Sequence, residues 1–501
     1  MKKYFLIILT LWFAIALSSC SKPEEIREPD TDKVDPGNKP ADDDNSDDSD
    51  DDSDDSSDDE AEKSCSIAVT INYITDTPQR EADKKFYFEI AGDAEGVVTI
   101  DWGDGTVEDL EYIKVYRGSS SMYGSNFSHA YEKTGTYKVK IFEKHGSIML
   151  FGCDRYQCNY ENRYSSLKII DCPQLEYLYC YNGRWWSIME LSDNKLDVLE
   201  LSGCPDLRYL YCYHNNLTSL DISGCPKLEY VFCGGNSLAE LNISKNTALK
   251  ELYCAVNQLT ELNADKCTQL QRLDCSYNRL IALEVSECLA LLLLDCENNR
   301  LTALDVRRNL ALTYLKCSDN RLAALDVREN AELSSLYCFR NQLTALDVSK
   351  NLKLDALDCS SNQLAELDVS KCTLLSGKLH CESNKLTSLN VTGCEHITEL
   401  YCQENQLTSL DVSGCTALMT LCCQENQLTS LDISGCSSLG SSSYYSNALV
   451  CYHNKLSESA MENIYNDLPT TGNRPTIQVD KATVGDYAIA AKKGWTVWLQ
   501  E

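Results

Sequence analysis

Histidine is scarce in this chain, and an excess of basic residues is missing altogether. The 501 residues include six histidines and carry a formal net charge of -31. Because binding of phosphate backbones requires a clustered basic surface, the sequence argues against nucleic acid as a partner. No histidine lies in a recognisable nucleophile or metal motif, and no Cys-x-x-Cys spacing occurs. We therefore expect a protein that is not an enzyme and that holds no cofactor or metal.

Long hydrophobic runs are also scarce, and the run at the amino terminus, residues 4–17, is too short to cross a bilayer comfortably. Lys2 and Lys3 precede it, an order typical of a secretory signal. The following Leu17-Ser18-Ser19-Cys20 resembles the cleavage site of bacterial lipoproteins. This resemblance implies a signal peptide over residues 1–19 and lipidation at Cys20. The alternative is an ordinary signal with an incidental cysteine.

An acidic segment follows Cys20. Its start, Ser21-Lys22-Pro23-Glu24-Glu25, resembles the segment after the lipidated cysteine in surface-exported lipoproteins of Bacteroidetes-type bacteria. The resemblance implies an outer membrane lipoprotein that faces the cell exterior, with a periplasm-facing anchor as the alternative. Residues 22–63 contain 20 acidic and five basic residues, a composition that cannot bury apolar surface. We predict that residues 20–65 form a lipid anchor and a disordered tether, and that the lipid alone contacts the membrane.

Residues 66–150 contain alternating, strand-like stretches. Between two of them, Asp101-Trp102-Gly103-Asp104-Gly105-Thr106 favours a tight turn with the tryptophan packed inward. Together with His129-Ala130-Tyr131, this motif resembles a PKD-type β-sandwich, a common extracellular spacer or binding module. Asp101 and Asp104 are expected to shape the turn, and cation binding is the alternative reading.

The feature that determines the architecture is a repeat of 21 residues between Leu210 and Leu421, with one step of 22. Leu249-x-x-Leu252-x-Cys254-x-x-Asn257-x-Leu259 shows the pattern, in which Leu252 and Cys254 point to the same side of a strand. The repeat resembles short leucine-rich repeats of Bacteroidetes secretomes and, more distantly, the internalin type. It predicts a mainly β fold: a leucine-rich repeat solenoid over residues 151–456, preceded by the small PKD-like β-sandwich.

Cysteine is abundant, with 27 residues, yet its positions argue against disulfides within the repeats. Neighbouring rungs would hold their Cβ atoms about 4.8 Å apart, beyond the roughly 3.5–4.5 Å that a disulfide tolerates. We expect small buried hydrophobes at nine turn positions and at thirteen strand positions, the latter being Cys180, Cys212, Cys233, Cys254, Cys275, Cys296, Cys317, Cys338, Cys359, Cys381, Cys402, Cys423 and Cys451. The best disulfide candidates are Cys153 and Cys158.

A row of polar residues in the second half of each repeat includes Asp221, Asn242 and Asp347. Local bonding to the backbone two residues on is the expected role. The alternative is that the stacked carboxylates attract divalent cations or basic partners.

The outward positions of the main strands carry the candidate ligand-binding residues, because packing does not constrain them. The first strands are aromatic there, with Trp185 and Trp186 in a nearby insertion, and the nine predicted site residues are Tyr177, Tyr179, Tyr181, Tyr209, Tyr211, Tyr213, Tyr230, Phe232 and Tyr253. Exposed aromatic patches usually mark interaction sites. The alternative is a cross-strand ladder that only stabilises the sheet. Farther along, the surface turns acidic at Asp274, Asp295 and Glu297, then mixed near Tyr337.

Residues 457–501 leave the repeat, begin with helical spacing after a serine, and are expected to cap the last coil. The sequence as a whole predicts a cell-surface lipoprotein that recognises a protein ligand, on a host or a bacterial surface, through the strand face of its repeats. The alternative is a glycan-binding accessory lipoprotein that uses the tyrosines as a platform.

Overall fold

The computed structural model describes residues 64–73, 85–117, 122–153, 162–181, 196–441 and 447–500. The expected signal peptide, Cys20 and most of the tether lie outside these residues, as do Cys158, Trp185 and Trp186. Among the helices in the described ranges, none combines the length and apolar character needed to cross a membrane.

The amino-terminal part is built from two larger β-sheets and one short two-stranded sheet. Its strands are β1 (Cys65–Tyr73), β2 (Lys85–Gly92), β3 (Gly96–Asp101), β4 (Val107–Tyr112), β5 (Tyr116–Arg117), β6 (Met122–Tyr123), β7 (Ser125–Ala130), β8 (Gly135–Glu143), β9 (Ile148–Gly152) and β10 (Asn162–Ile170). One sheet has the order β10-β1-β8-β3-β4, and in the other β2 lies between β7 and β9. Phe86, Phe88 and Trp102 pack between the sheets and are at most 2% exposed. The inward packing predicted for the tryptophan is therefore confirmed.

Strand pairing runs without interruption from this part into the repeats. The next strands are β11 (Tyr177–Tyr179) and β12 (Val198–Ser202), of which β11 pairs in parallel with β9 and β12 pairs in parallel with β10. The pairing therefore crosses the boundary predicted at residue 150, and the first coil is built directly on the edges of both amino-terminal sheets.

The repeats form a β-solenoid of about 14 coils of about 21 residues. Its main strands pair in parallel, one per coil: β13 (Tyr209–Tyr211), β14 (Tyr230–Phe232), β15 (Glu251–Tyr253), β17 (Arg272–Asp274), β19 (Leu293–Asp295), β20 (Tyr314–Lys316), β21 (Ser335–Tyr337), β22 (Ala356–Asp358), β24 (Gly377–His380), β26 (Ile397–Tyr401), β27 (Thr420–Cys422) and β28 (Asn447–Val450). On the second wall, short strands pair as β16 (Glu261–Asn263) with β18 (Ala282–Glu284), and as β23 (Glu366–Asp368) with β25 (Ser388–Asn390). The leucine-rich repeat solenoid predicted from the period is confirmed.

Asparagine closes the backbone bonds at the end of each main strand. The Asn257 side-chain amide donates to the carbonyl oxygens of Cys233 and Cys254 at 3.1 Å, and its Oδ1 accepts from the Leu238 amide at 2.9 Å. Each asparagine therefore ties its own coil to the preceding one. Because buried backbone groups need partners, the ladder removes a cost of roughly 1–3 kcal/mol for every group that it satisfies.

The strand cysteines lie inside, as predicted. All thirteen are at most 3% exposed and have reduced thiols. Burial raises the pKa of Cys233 and of Cys451 to about 12, so these thiols stay protonated near neutral pH. They fill the core as small hydrophobes.

The prediction for Cys172, one of the nine turn cysteines, is wrong. Cys172 forms a disulfide with Cys65, and the two Cα atoms are 4.4 Å apart. Cys172 follows the end of β10, which pairs antiparallel with β1, so its partner approaches from an opposing strand rather than from a stacked rung. Cys153 is buried, and its predicted partner Cys158 lies outside the described residues, so that pairing stays a prediction.

The last coil is followed by β29 (Thr476–Asp480) and β30 (Thr496–Gln500), which extend the main sheet, and by two helices. Helix α1 (Glu458–Asp467) begins after Ser457, whose hydroxyl accepts the Ala460 amide, and α2 (Ala488–Lys492) packs against it. Met461, Ile464 and Tyr465 of α1 are buried, so this segment covers apolar surface that the last coil would otherwise expose.

Candidate partner-binding face

The main strands present one continuous face of outward side chains, which we call the strand face. Each strand contributes residues on both sides of a buried leucine or valine, and parallel register places them in columns. The middle column reads Tyr179, Tyr211, Phe232, Tyr253, Asp274, Asp295, Lys316, Tyr337, Asp358, His380, Tyr401 and Cys422. The face is therefore aromatic at its amino-terminal end and largely polar beyond it.

The nine predicted site residues come together as stacked rings, and we call this set the aromatic patch. In the middle column, ring centroids are 5.1 Å apart for Tyr179 and Tyr211, then 4.7 and 4.6 Å along the next two steps to Tyr253. The neighbouring column stacks Tyr177, Tyr209 and Tyr230, and a third column stacks Tyr181 on Tyr213. Tyr177 is 5% exposed, whereas the other eight residues are partly exposed.

Stacking decides which part of each ring a partner can reach. Tyr211 and Phe232 have a ring against both faces, so mainly their edges are presented outward. Sugars that stack on aromatic side chains need an open ring face, whereas protein interfaces also use ring edges and tyrosine hydroxyl groups. The ladder that was the alternative reading is thus present, and it still leaves a partly exposed aromatic surface.

An ion-paired row borders the aromatic patch. Glu229 forms ion pairs with Arg208 of the preceding coil and with Lys250 of the following coil, and the Lys250 Nζ lies 2.5 Å from Glu229 Oε2. The hydrogen bonds from these two cations outweigh burial and lower the pKa of Glu229 below its usual 4.5. The carboxylate therefore stays ionised, and the row fixes the edge of the patch.

A second feature of the strand face is a group of charged residues, Asp274, Asp295, Glu297 and Lys316, which we call the charged cluster; Asp274 is partly exposed and the other three are buried. Asp295 and Glu297 are 2% exposed, and Lys316 is 8% exposed. Lys316 forms an ion pair with Glu297, and Asp295 accepts the Glu297 amide at 3.0 Å. Burial raises the pKa of Asp274 above its usual 3.8, and burial together with the neighbouring Asp274 raises that of Asp295 well above it. The charge of Lys316 acts in the opposite direction on both aspartates, but burial outweighs it.

Farther along, His380 stacks on Tyr401 with ring centroids 4.5 Å apart, and its Nδ1 lies 3.1 Å from Glu382 Oε1. Burial disfavours the imidazolium, but the hydrogen bond and the charge of Glu382 outweigh it and raise the pKa of His380 above 6.5. The hydroxyl of Tyr401 donates to Glu399 at 2.6 Å. This end of the face is polar and hydrogen-bonded rather than apolar.

The predicted turn aspartates are confirmed in that role. Asp221, Asp347 and Asp411 each accept the backbone amide two residues on, at 2.9–3.0 Å. In the amino-terminal part, Asp101 accepts the Gly103 amide and Asp104 the Thr106 amide, both at 2.9 Å. Asp104 also lies 2.7 Å from His129 Nε2. Within the described ranges, no group of three or more His, Cys, Asp or Glu side chains is placed to hold a metal ion.

The sequence placed Asp274, Asp295 and Glu297 on the strand face but did not reveal the burial of Asp295 and Glu297 or the ion pair of Lys316 with Glu297. The sequence does contain an indication of the ion pair, because the repeat places Lys316 in the same column, one rung after Asp295 and one rung before Tyr337. A charged run on a surface is expected to be solvated, so register alone does not reveal that neighbouring side chains enclose it.

No family model and no curated protein matches the chain. Among solved structures, it is similar to the functional domain of InlJ from Listeria monocytogenes, described as including a cysteine ladder, with 30% identity, 64% of this chain and 77% of that chain covered, and a TM-score of 0.47. It is also similar to the leucine-rich repeat protein LIC12759 from Leptospira interrogans, at 23% identity over 59% and 83% of the chains with a TM-score of 0.44. The chain is similar as well to the internalin InlF from Listeria monocytogenes, at 19% identity, with 57% of this chain and 86% of that chain covered and a TM-score of 0.48.

Proposed function

We propose that this chain, a leucine-rich repeat solenoid, is a non-enzymatic recognition module that binds a protein partner through its strand face. The observation that carries the proposal is the aromatic patch, where eight of nine predicted residues are partly exposed in one continuous surface. Tyrosine-rich patches contribute large contact area and a hydroxyl group at little cost in conformational entropy, which suits a protein interface.

The same proposal includes a place at the cell surface. The lipoprotein-like sequence at Cys20 and the acidic segment after it would hold the solenoid away from an outer membrane, facing the exterior. Adhesion to a host or a neighbouring bacterial cell is the use that such a display favours. Labelling of intact cells with an antibody to the solenoid, compared with the variant Cys20→Ser, tests this part: loss of cell-bound signal in the variant is expected.

Glycan binding is the second candidate, and the stacking of the rings argues against it for the centre of the patch. Replacing Tyr211, Phe232 and Tyr253 together by alanine separates the two candidates. We expect this variant to lose capture of protein partners from host or bacterial surface extracts while a glycan array shows no change. The matched control is Tyr487→Ala, because Tyr487 is a 50% exposed tyrosine in the carboxy-terminal segment, away from the strand face.

The outcomes of this experiment distinguish protein binding from glycan binding at the aromatic patch. Loss of binding on sugars alone would replace the protein-binding proposal with the glycan-binding one. Unchanged binding in both assays would remove the aromatic patch from the interface. Circular dichroism of both variants shows that the solenoid is intact before either result is interpreted.

A further inference from the structure

The strand β30 lies at the carboxy-terminal edge of the main sheet. Among the described residues it pairs with β29 alone, in parallel register. The Thr496 amide donates to the Pro475 carbonyl oxygen at 2.9 Å, so Thr496 directs its backbone groups toward the side of β29. Because backbone groups alternate in direction along a strand, those of Val497 and Leu499 point away from β29, toward the open edge.

Apolar side chains are exposed at the same edge. Trp498 continues the middle column of the strand face after Gln478, and it is 53% exposed. On the inward side, Leu499 lies in register with Val479, which is 1% exposed, yet Leu499 itself is 44% exposed. The core is therefore closed at β29 and open at β30. A further strand beside β30 would cover this surface and pair its backbone groups.

Charge distinguishes β30 from two other edge strands. The strand β4, at the edge of an amino-terminal sheet, carries Glu108, Asp109 and Glu111. At the opposite edge of the main sheet, β7 exposes the polar side chains of Asn126 and Ser128. Charged side chains at an edge disfavour pairing with another strand. The strand β30 contains no charged residue and exposes a tryptophan and a leucine instead.

The sequence of β30 is suited to pairing with a second copy of itself. In an antiparallel pair with a two-fold axis at Trp498, Val497 of each copy lies opposite Leu499 of the other, and these pairs exchange the outward backbone hydrogen bonds. The two Trp498 residues lie opposite each other, with Cα atoms about 4.5 Å apart. Residues 481–501 contain three basic and two acidic residues, so two copies of a chain with net charge -31 approach here without strong repulsion.

We propose that two copies of this chain pair antiparallel through β30, which joins two solenoids end to end in one continuous sheet. In each copy the main sheet runs from the amino-terminal part to β30, so the two amino-terminal parts lie at the far ends of the dimer. The pairing itself is independent of the aromatic patch. With the anchor proposed at Cys20, the dimer joins two neighbouring membranes, and this consequence rests on the proposed function.

Sedimentation velocity of the whole chain over a range of concentrations tests the pairing, and we expect the wild type to dimerise. Trp498→Lys places two like charges opposite each other and should weaken self-association at least about tenfold. The matched control is Val107→Lys, which adds the same charge on β4 at a 61% exposed valine and should leave self-association unchanged. Mixing Trp498→Lys with Trp498→Glu should restore the dimer, because opposite charges then lie across the two-fold axis.

A backbone variant provides a second test. Leu499→Pro removes an outward donor without removing a hydrogen bond to β29, and it should abolish the dimer. Leu499→Ala keeps the donor and should weaken the dimer less. Circular dichroism shows whether each variant is folded. A wild type that is monomeric at every concentration, or a dimer that Trp498→Lys leaves intact, would overturn the proposal. A mixture of Trp498→Lys and Trp498→Glu that stays monomeric would overturn the antiparallel register.

Beads that carry the chain through its amino terminus test the end-to-end geometry. Wild-type beads should aggregate, beads with Trp498→Lys alone should not, and their mixture with Trp498→Glu beads should. A dimer in solution that fails to aggregate beads would overturn the joining of two surfaces and leave the pairing standing. Because the beads replace the lipid and the variants leave the aromatic patch intact, failure of this proposal is distinguishable from failure of the proposed function.

Discussion

The aromatic patch and the charged cluster occupy the same columns of the same sheet, yet we expect their side chains to change the free energy of unfolding in opposite directions. At Tyr211, the rings of Tyr179 and Phe232 lie 5.1 and 4.7 Å away, so each ring gains contacts from its neighbours in the stack. At Asp295, the neighbours are Asp274 and Lys316, and burial raises its pKa well above 3.8. Identical backbone register thus supports one region of stacked rings and one region in which burial disfavours the ionised carboxyl groups.

Removing the rings is expected to have the largest effect. Alanine at Tyr211, Phe232 and Tyr253 together should lower the free energy of unfolding by roughly 4 kcal/mol, because each partly buried ring contributes about 1–2 kcal/mol through burial and stacking. Chemical denaturation of wild type and triple variant measures the loss. Tyr487→Ala, outside the stack, should change stability by less than about 0.5 kcal/mol. A triple variant as stable as the wild type would show that the stack adds no stability.

Removing charge from the cluster should act in the other direction. Asp295→Asn is expected to raise the free energy of unfolding by about 1–2 kcal/mol at pH 7, because a buried carboxylate without its own cation is replaced by a neutral isostere. The sign follows from linkage: the folded pKa of Asp295 lies above the usual 3.8, so the wild type loses stability as pH rises from about 3.8 through the raised value. Denaturation between pH 4 and pH 8 should show a flatter profile for the variant. Equal slopes for the two proteins would contradict this account.

The contrast between these regions also shows how far sequence reasoning reaches. The positions of leucine, cysteine and asparagine follow from a period of 21 and a strand periodicity of two, and Asn257, Cys254 and Leu252 all lie where those numbers place them. Outward positions follow from the same rule, which is why the aromatic patch could be listed residue by residue. Register does not determine how closely neighbouring side chains enclose an outward position, so the repeat alone does not predict that Asp295 is 2% exposed.

The disulfide between Cys65 and Cys172 is a second feature that the repeat pattern does not predict. Cys65 and Cys172 are separated by 107 residues, and their contact depends on the antiparallel register of β1 with β10. No repeat relates the two cysteines, so spacing within the solenoid carries no information about the pair. The thirteen strand cysteines differ in this respect, because the repeat places each of them in the same position of its coil. An environment predicted for one of them therefore applies to all.

A smaller effect is expected at the turn that follows the last ring of the patch. Val256 has a φ of 58°, a left-handed conformation that is unfavourable for a β-branched residue. The corresponding residue two coils later is Asn298, at φ 54°, and asparagine tolerates this region well. Val256→Asn should therefore raise the free energy of unfolding by about 1 kcal/mol, measured by chemical denaturation. A decrease would mean that the 42% exposed valine makes packing contacts worth more than the relief of strain.

The smallest effect is expected at Asp347, on the wall that faces away from both regions. Its Oδ1 accepts the Ser349 amide at 2.9 Å, and in another coil the Oδ1 of Asn242 accepts the Ser244 amide at 3.0 Å. Asparagine therefore supplies the same turn bond, and Asp347→Asn should change the free energy of unfolding by less than about 0.5 kcal/mol. A change as large as that expected for Asp295→Asn would show that loss of negative charge anywhere stabilises this acidic chain. In that case the effect at Asp295 would reflect net charge rather than the buried cluster.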